Sequence, residues 1–254
     1  MLSQKIQKHL KQLQQKKFRK EFEEFIVEGV KGVEEGLNSD ADVALLVVEG
    51  NRRDENDIAE LITLAEKSEI PVEFCGRKDV DDIKTTDTFP GVLAVIGQEQ
   101  LDLEDVVEGP IICLDEVKDP GNLGTIIRTA DWFGIKNIVL SEKCVDVYNP
   151  KVVRSTMGSI FHVNILRSEN ISKTLERLKK EFEYEVNALD MEGKDITKLK
   201  PKNKAVYLFG SESHGVSDAL EELIDNRYTI SGSGDAESLN LAISAGILMS
   251  RLSS

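Results

Sequence analysis

Two series of short apolar runs, each alternating with helix-like patterns, constrain the fold of this 254-residue chain most strongly. In the first series the runs predict strands at Phe25–Val27, Val43–Val48, Val72–Cys75 and Val92–Ile96. The spacing of apolar residues predicts helices at Val30–Leu37, Ile58–Lys67 and about Lys78–Ile83. Alternation of this kind is typical of a small α/β domain.

The second series restarts the alternation after residue 110. Strands are predicted at Ile111–Leu114, Asn137–Leu140, Phe161–Ile165, Glu185–Leu189, Ala205–Phe209 and Tyr228–Ile230. Helices are predicted near Thr125–Phe133, Lys151–Met157, Ile171–Phe182, Asp218–Ile224 and Ser238–Leu252. Most of these strands are continuous apolar runs, as a parallel sheet covered on both faces requires.

An acidic stretch with weak periodicity, residues 97–109, separates the two series. We therefore predict an N-terminal α/β domain over residues 1–98, a linker over residues 99–109 and a C-terminal α/β domain over residues 110–254. Ahead of the first strands, residues 2–25 are predicted to form one amphipathic helix. Its apolar face would consist of Leu2, Ile6, Leu10, Leu13, Phe18, Phe22 and Phe25.

Charge is distributed unevenly along the chain. The net charge is −14, yet residues 1–20 carry seven basic residues and no acidic one. The remaining 25 basic residues against all 46 acidic ones leave residues 21–254 at −21. An acidic body repels nucleic acid, whereas a basic arm attracts it locally. The arm is thus either a nucleic-acid contact or simply the solvated face of a helix.

Several classes of protein are disfavoured. No apolar run approaches the ~18 residues of a membrane span, and the N-terminus lacks the apolar core of a signal peptide. The three cysteines lack a Cys-x-x-Cys pair, which favours a reducing cytosol and argues against structural zinc. The sequence also lacks a P-loop, a G-x-S-x-G elbow and a complete dinucleotide fingerprint. With three scattered histidines, no metal site is expected.

Three loops that follow predicted strands are rich in small and polar residues. They span residues 114–130, 208–217 and 228–245. Ligands of open parallel sheets bind at this edge. In the first loop, Asn122 could cap a helix and Arg128 could pair with a surface carboxylate. In the second, Gly210 permits close backbone approach to a ligand, and His214 is either a general base or inert.

Four segments carry a family resemblance. They are NLGTIIRTA from Asn122, YNPKVVRSTMG from Tyr148, FGSESHG from Phe209 and ESLNLA from Glu237. In order and spacing they resemble the motifs of the SpoU (TrmH-like) RNA 2′-O-ribose methyltransferases over residues 110–254. Through Lys17-Phe18-Arg19 and FIVEG from Phe25, the first half resembles the substrate-binding domain often attached to these enzymes.

The resemblance implies an α/β trefoil-knot (SPOUT) domain, S-adenosylmethionine as cofactor, an RNA substrate and a homodimer whose active site draws on both subunits. Arg128 would contact the ribose hydroxyl or a phosphate, and Glu212 would orient Arg128 or organise its loop. Asn122 and Asn240 would hold the substrate or loops in register, and Ser238 would touch RNA. The implied cofactor contacts are Gly210, Ile230 and Leu239, and the expected RNA-binding residues are Lys16, Lys17, Arg19 and Arg154.

One departure from the family pattern and two alternatives remain. Ser231 stands where the family usually has proline, so the glycine-rich loop after it is expected to hold the cofactor less rigidly. A non-catalytic RNA-binding or assembly protein could keep the knot as a dimer scaffold, and a related knotted enzyme could methylate a base. The motif pattern favours ribose. Ribosomal RNA is favoured over transfer RNA because the separate N-terminal domain suggests a structured target.

Overall fold

The computed structural model describes residues 2–84, 88–212 and 214–253. The chain forms two compact units. The first comprises residues 1–99 together with residues 146–161, and the second comprises residues 100–145 and 162–254.

The first unit is a four-stranded sheet with helices. Its helices are α1 (Gln4–Leu13), α2 (Lys16–Phe22), α3 (Val30–Asn38), α4 (Asn56–Lys67), α5 (Arg77–Ile83) and the later α7 (Pro150–Thr156). Its strands are β1 (Glu24–Glu28), β2 (Val43–Glu49), β3 (Val72–Cys75) and β4 (Val92–Gly97). The strand order is β1-β4-β2-β3, and β4 runs antiparallel to both of its neighbours.

The predicted helix over residues 2–25 is two helices and the start of a strand. Ser3 caps α1 by accepting the N–H of Ile6, and Leu10 and Leu13 bury the apolar face of this helix. Gln15 has an extended backbone and separates α1 from α2, while Glu23 adopts a left-handed conformation that ends α2. The chain then enters β1, where Phe25 is buried. The helical apolar period therefore ran through the break at Gln15 and overlapped the strand predicted at Phe25–Val27, which is present as part of β1.

The second unit is a six-stranded parallel sheet. Its strands are β5 (Ile111–Leu114), β6 (Asn137–Ser141), β7 (Asn164–Ser168), β8 (Glu185–Asp195), β9 (Ala205–Phe209) and β10 (Asn226–Thr229). They lie in the order β10-β8-β9-β5-β6-β7, and every pair is parallel. The helices are α6 (Pro120–Trp132), α8 (Ile171–Phe182) and α9 (Leu241–Leu252). Every residue of β5, β6 and β9 is buried, as expected for central strands of a covered sheet.

The predicted linker, residues 99–109, is part of the second unit's core from residue 100 onward. Leu103 and Val106 lie in one turn of 3₁₀ helix and are buried in the core cluster that includes β5 and α8. The Tyr184 hydroxyl donates to the carbonyls of Val107 and Gly109. The acidic side chains of residues 99–109 are exposed, whereas Leu101 and Val107 pack partly buried against the same cluster. This apolar pattern is too short to show periodicity.

One segment of the predicted C-terminal domain, residues 146–161, belongs to the first unit. Residues 146–161 pack with the N-terminal residues: the Phe25 ring lies 4.6 Å from that of Tyr148 and 6.4 Å from that of Phe161. The predicted strand Phe161–Ile165 accordingly begins later, as β7 at Asn164. A division of the chain into contiguous domains therefore misses residues 146–161, which return to the first unit.

Candidate functional site

The loop after β5 enters α6 through Asp119-Pro120. The Asp119 side chain accepts the N–H of Asn122 at 2.8 Å, and Pro120 occupies the first helical position, where its missing N–H costs nothing. Asp119 is therefore the cap, and the alternative that Asn122 caps this helix is wrong. Because the cap is supplied three residues earlier, the Asn122 side chain is available for other contacts. The Asp-Pro pair was the sequence signal for this start.

Asn122 joins the three predicted loops. Its Nδ2 donates to Glu212 of the second loop, and its Oδ1 accepts from Nδ2 of Asn240 in the third loop at 3.0 Å. The Asn240 Oδ1 in turn accepts the N–H groups of Ala242 and Ile243 and caps α9. Helix α9 thus starts at Leu241, three residues later than predicted. Glu212 and Asn240, which follow Asn122 by 90 and 118 positions, therefore form with it one hydrogen-bonded row, Glu212–Asn122–Asn240.

This row borders a cleft of about 470 Å³, a size suited to a small-molecule ligand. The cleft is lined by Asp119, Asn122, Glu212, Ser238, Leu239 and Asn240. Leu239, 47% exposed, supplies an apolar surface among polar groups. Among the described residues the lining contains two carboxylates and no lysine or arginine, so it favours a ligand that carries positive charge or hydrogen-bond donors.

Gly210 begins a tight hairpin in the second loop. Ser211 and Gly215 exchange backbone hydrogen bonds of 2.8 and 3.0 Å, and Gly215 has a φ of +67°. A Cβ placed on Gly210 would lie 2.0 Å from the carbonyl carbon of Gly215. The close approach that this glycine permits is therefore made by the protein's own backbone, which fixes the position of Glu212.

The third loop is anchored where it leaves the sheet. Ile230 follows β10 and is half-buried, and it does not line the cleft within the described part of the chain. The next residue, Ser231, donates its hydroxyl to Oδ2 of Asp195 at 2.6 Å. This hydrogen bond and those from Thr197 lower the pKa of Asp195 to about 2. The family proline is replaced here by a specific polar anchor.

Arg128 lies on α6, about 9 Å along the helix axis from Asn122. It is exposed, and within residues 2–84, 88–212 and 214–253 its side chain makes no hydrogen bond or ion pair and does not line the cleft. Glu212 contacts Asn122, which agrees with a role in organising the loop. Arg128 lies beside Thr125 and Trp132 in an exposed stripe of the helix.

The predicted RNA-binding residues differ in availability. Lys16 and Lys17 are exposed on α2, with Lys17 Nζ 5.5 Å from the centre of the Phe18 ring. Arg19 is only 2% exposed and donates to Asp146 and to the Leu13 carbonyl. The prediction that Arg19 binds RNA is therefore corrected: Arg19 is a buried structural cation whose guanidinium is bound within the first unit. Arg154 is half-buried on α7 in the first unit.

His214 is exposed in the hairpin, and its backbone N–H donates to the Ser211 hydroxyl at 3.1 Å. Among the described residues no group of three or more His, Cys, Asp or Glu side chains is arranged to bind a metal. No helix in that part of the chain is long and apolar enough to cross a membrane.

Loops at one edge of a parallel sheet thus form a polar cleft. Comparison with known proteins identifies the class of protein to which this cleft belongs. The sequence profile of the SpoU rRNA Methylase family matches residues 109–250, and that of the MRM3-like substrate binding domain matches residues 4–94. The chain therefore belongs to the SpoU rRNA methylase family.

Individual relatives extend this match over most of the chain. The 23S rRNA (guanosine(2553)-2′-O)-methyltransferase RlmP of Bacillus subtilis (strain 168) is 32% identical over 245 residues, 96% of this chain and 94% of its own. The AdoMet-bound rRNA methyltransferase of Sinorhizobium meliloti is 30% identical with a TM-score of 0.83, covering 98% of this chain and 94% of its own.

The SpoU methyltransferase AviRb of Streptomyces viridochromogenes, solved in complex with AdoMet, has a TM-score of 0.87 over 99% of this chain and 97% of its own. At 24% identity it supports the fold alone. The predicted family, the α/β fold class with its parallel C-terminal sheet and the class of enzyme are confirmed.

Proposed function

We propose that this protein transfers a methyl group from S-adenosylmethionine to the 2′-hydroxyl of a ribose in ribosomal RNA. The observation that carries the proposal is the Glu212–Asn122–Asn240 row, because it brings the three motif loops together at one polar cleft. The named activity of the Bacillus subtilis relative and the AdoMet-bound Sinorhizobium meliloti relative support it.

The residues of the cleft fit the cofactor. S-adenosylmethionine, when bound, supplies a methyl group activated by a positively charged sulfur. The two carboxylates of the lining suit such a cation, and Leu239 offers a surface to the apolar parts of the cofactor. We assign Leu239 of the cleft to the cofactor site, within the knotted C-terminal region that family membership implies. Gly210 and Ile230, which do not line the cleft among the described residues, are assigned to the same site through the second and third loops in which they lie. Ser238 is assigned to a contact with the RNA.

Arg128 supplies the positive charge that the cleft lacks. The pKa of an arginine side chain exceeds ~12, so a charged guanidinium is a poor acceptor for the hydroxyl proton. We assign it instead to the stabilisation of negative charge on the 2′-oxygen as that proton leaves, or to a contact with the adjacent phosphate. Asn122 and Glu212 hold the loops in register while the hydroxyl is aligned with the methyl group.

The substrate-binding role is assigned to residues 1–98, in agreement with the domain match over residues 4–94. Lys16, Lys17 and Arg154 are the proposed RNA contacts of the first unit. Because structured ribosomal RNA is the proposed substrate, we place the enzyme in the cytoplasm, where ribosomes are assembled.

A homodimer is proposed from an exposed apolar surface on α6 and α9. Trp132 is 84% exposed, Ile243 55% and Ile247 38%, and the two helices pack side by side where Gly246 meets Thr129. A surface of this kind is typical of a protein interface. We propose that a second copy covers it. Arg128 lies in the same stripe of α6 without a partner among the described residues, so the second copy would bring it to the partner's cleft.

The first test is transfer from labelled S-adenosylmethionine to unmodified ribosomal and transfer RNA, followed by mass spectrometry of the nucleosides. A 2′-O-methylnucleoside in ribosomal RNA is expected, and Arg128→Ala should lower the rate about 10²- to 10³-fold while cofactor binding persists. A methylated base would contradict the proposed chemistry. Absence of both transfer and cofactor binding would favour the scaffold alternative.

Mixing two inactive variants tests the shared site. If Arg128 of one subunit serves the cleft of the other, random dimers of Arg128→Ala with Asn122→Ala contain one intact site in half of the dimers, which restores about a quarter of wild-type activity. Each variant alone is the control. No recovery after subunit exchange, verified by mass spectrometry of the mixed dimer, would place Arg128 at the cleft of its own chain.

A further inference from the structure

A second basic segment lies in the acidic body, outside the family motifs and the N-terminal arm. Residues 194–204, here called the lysine turn, contain one acidic residue, Asp195, in a chain with a net charge of −14. The turn contains five lysines, all of them exposed: Lys194, Lys198, Lys200, Lys202 and Lys204.

The lysine turn is an ordered structure. Asp195 accepts the N–H of Thr197 and begins a single turn of 3₁₀ helix, Ile196–Lys198. Ile196 and Leu199 are buried and fix this turn against the second unit. From α9, Arg251 donates through Nη2 to the Thr197 carbonyl at 2.7 Å. A guanidinium group, with further N–H donors, is thereby held beside the lysines.

Two of the lysines lack an ion-pair partner in the part of the chain that the structure describes. Lys202 pairs with Glu185 and Lys204 with Glu183, and Lys194 donates to Asn226. For Lys198 and Lys200, by contrast, the described residues offer no hydrogen bond or ion pair. The adjacent carboxylate of Asp195 already accepts from Ser231 and Thr197. The two ammonium groups therefore retain their capacity to bind an external anion.

The lysine turn is joined to the cleft through the third loop. The Ser231–Asp195 hydrogen bond fixes the start of that loop beside the turn, and the end of the loop, at Ser238–Asn240, lines the cleft. The seven residues from Ser231 to Ser238 span no more than about 25 Å when fully extended. A polynucleotide that places one ribose in the cleft can therefore reach the turn with neighbouring phosphates.

We propose that Lys198, Lys200 and Arg251 bind the phosphate backbone of the substrate RNA beside the nucleotide that is methylated. This inference rests on the proposed function, because it takes the RNA in the cleft as the polyanion. Lysine ammonium groups act on phosphates as point charges, and the contact is independent of base sequence. Outside the basic N-terminal arm and this turn, the acidic body repels RNA.

The test uses the full-length protein and a ribosomal RNA fragment that the wild type binds. Lys198→Ala/Lys200→Ala should lower RNA affinity several-fold at low salt and raise the KM for RNA. It should also flatten the plot of log affinity against log salt by up to about 1.4–1.8, two contacts at roughly 0.7–0.9 each. The Lys198→Arg/Lys200→Arg variant should keep the slope. Binding of S-adenosylmethionine by each variant reports that the second unit is folded.

The matched control is Lys173→Ala/Lys180→Ala on α8, which removes the same charge from exposed positions of the same unit. An equal loss of affinity in the control would reduce the effect to net charge and overturn the proposal, as would an unchanged slope in the turn variant or absence of RNA binding by the wild type. If RNA binds through these lysines but receives no methyl group, the proposed function fails and the phosphate contact stands.

Discussion

Two arginines in the two units of the molecule show opposite fates for the same side chain. Arg19 is buried in the first unit, with Nε 3.0 Å and Nη2 2.7 Å from Asp146 and Nη1 2.9 Å from the Leu13 carbonyl. Arg128 is exposed on α6 of the second unit and has no such partner among the described residues. A guanidinium can bind a substrate only if its N–H donors are not already bound within the fold. For Arg19 the residue that binds them, Asp146, lies 127 positions away in the sequence.

The largest effect is expected at Arg19. Arg19→Ala leaves the Asp146 carboxylate buried without its cation, which should cost about 3–5 kcal/mol of the free energy of unfolding, measured by urea denaturation. Lys20→Ala, an exposed neighbour, should change it by less than about 0.5 kcal/mol. Replacing both partners by apolar residues, as in Arg19→Met/Asp146→Leu, should recover much of the loss. Equal stability of Arg19→Ala and Lys20→Ala would remove the contrast between the two arginines.

A smaller effect is expected at Asn122, which acts on the catalytic unit. Asn122→Asp keeps the shape but replaces the donor to Glu212 with a second carboxylate, so the row should open. We expect kcat/KM to fall about 10- to 100-fold, the range of a lost hydrogen bond to a charged group. The control is Asn170→Ala, which removes the cap of α8 and should cost about 1 kcal/mol of stability without lowering kcat/KM. Full activity of Asn122→Asp would show that the row is incidental.

The smallest effect is expected at the anchor of the third loop. Ser231→Ala should weaken S-adenosylmethionine binding two- to fivefold, in line with about 0.5–1 kcal/mol for one exposed hydrogen bond, measured by calorimetry. Ser233→Ala, in the same loop, is the control. In the wild type the lowered pKa of Asp195 stabilises the fold above the ordinary aspartate pKa, and this stabilisation is lost as the pH falls toward about 2. In Ser231→Ala the pKa of Asp195 should rise, and an NMR titration that finds it unchanged would deny the contact.

The sequence predicted that the three motif loops would meet, because each follows a strand that ends at the same edge of the parallel sheet. Asn122, Glu212 and Asn240 meet for that reason. It missed contacts that depend on tertiary packing: the return of residues 146–161 to the first unit, the burial of Arg19 and the backbone crossing at Gly210. Helical periodicity also misled at residues 2–25, since Phe25 faces the core from a strand. The local sequence pattern indicates which face of an element is apolar, but it does not indicate which other element packs against that face.

The discontinuous first unit has a consequence for the order of events during translation. Its N-terminal part ends at residue 99, yet Asp146, Tyr148 and Phe161 complete it. At about 5–20 residues per second, the ribosome needs roughly 3–12 s to add the intervening residues. Until Asp146 is made the Arg19 guanidinium lacks its carboxylate, and until Phe161 is made the Phe25 ring lacks one of its aromatic neighbours. The first unit is therefore completed only after residues 100–145 of the second unit have been made. Neither unit can be finished by the ribosome before synthesis of the other has begun.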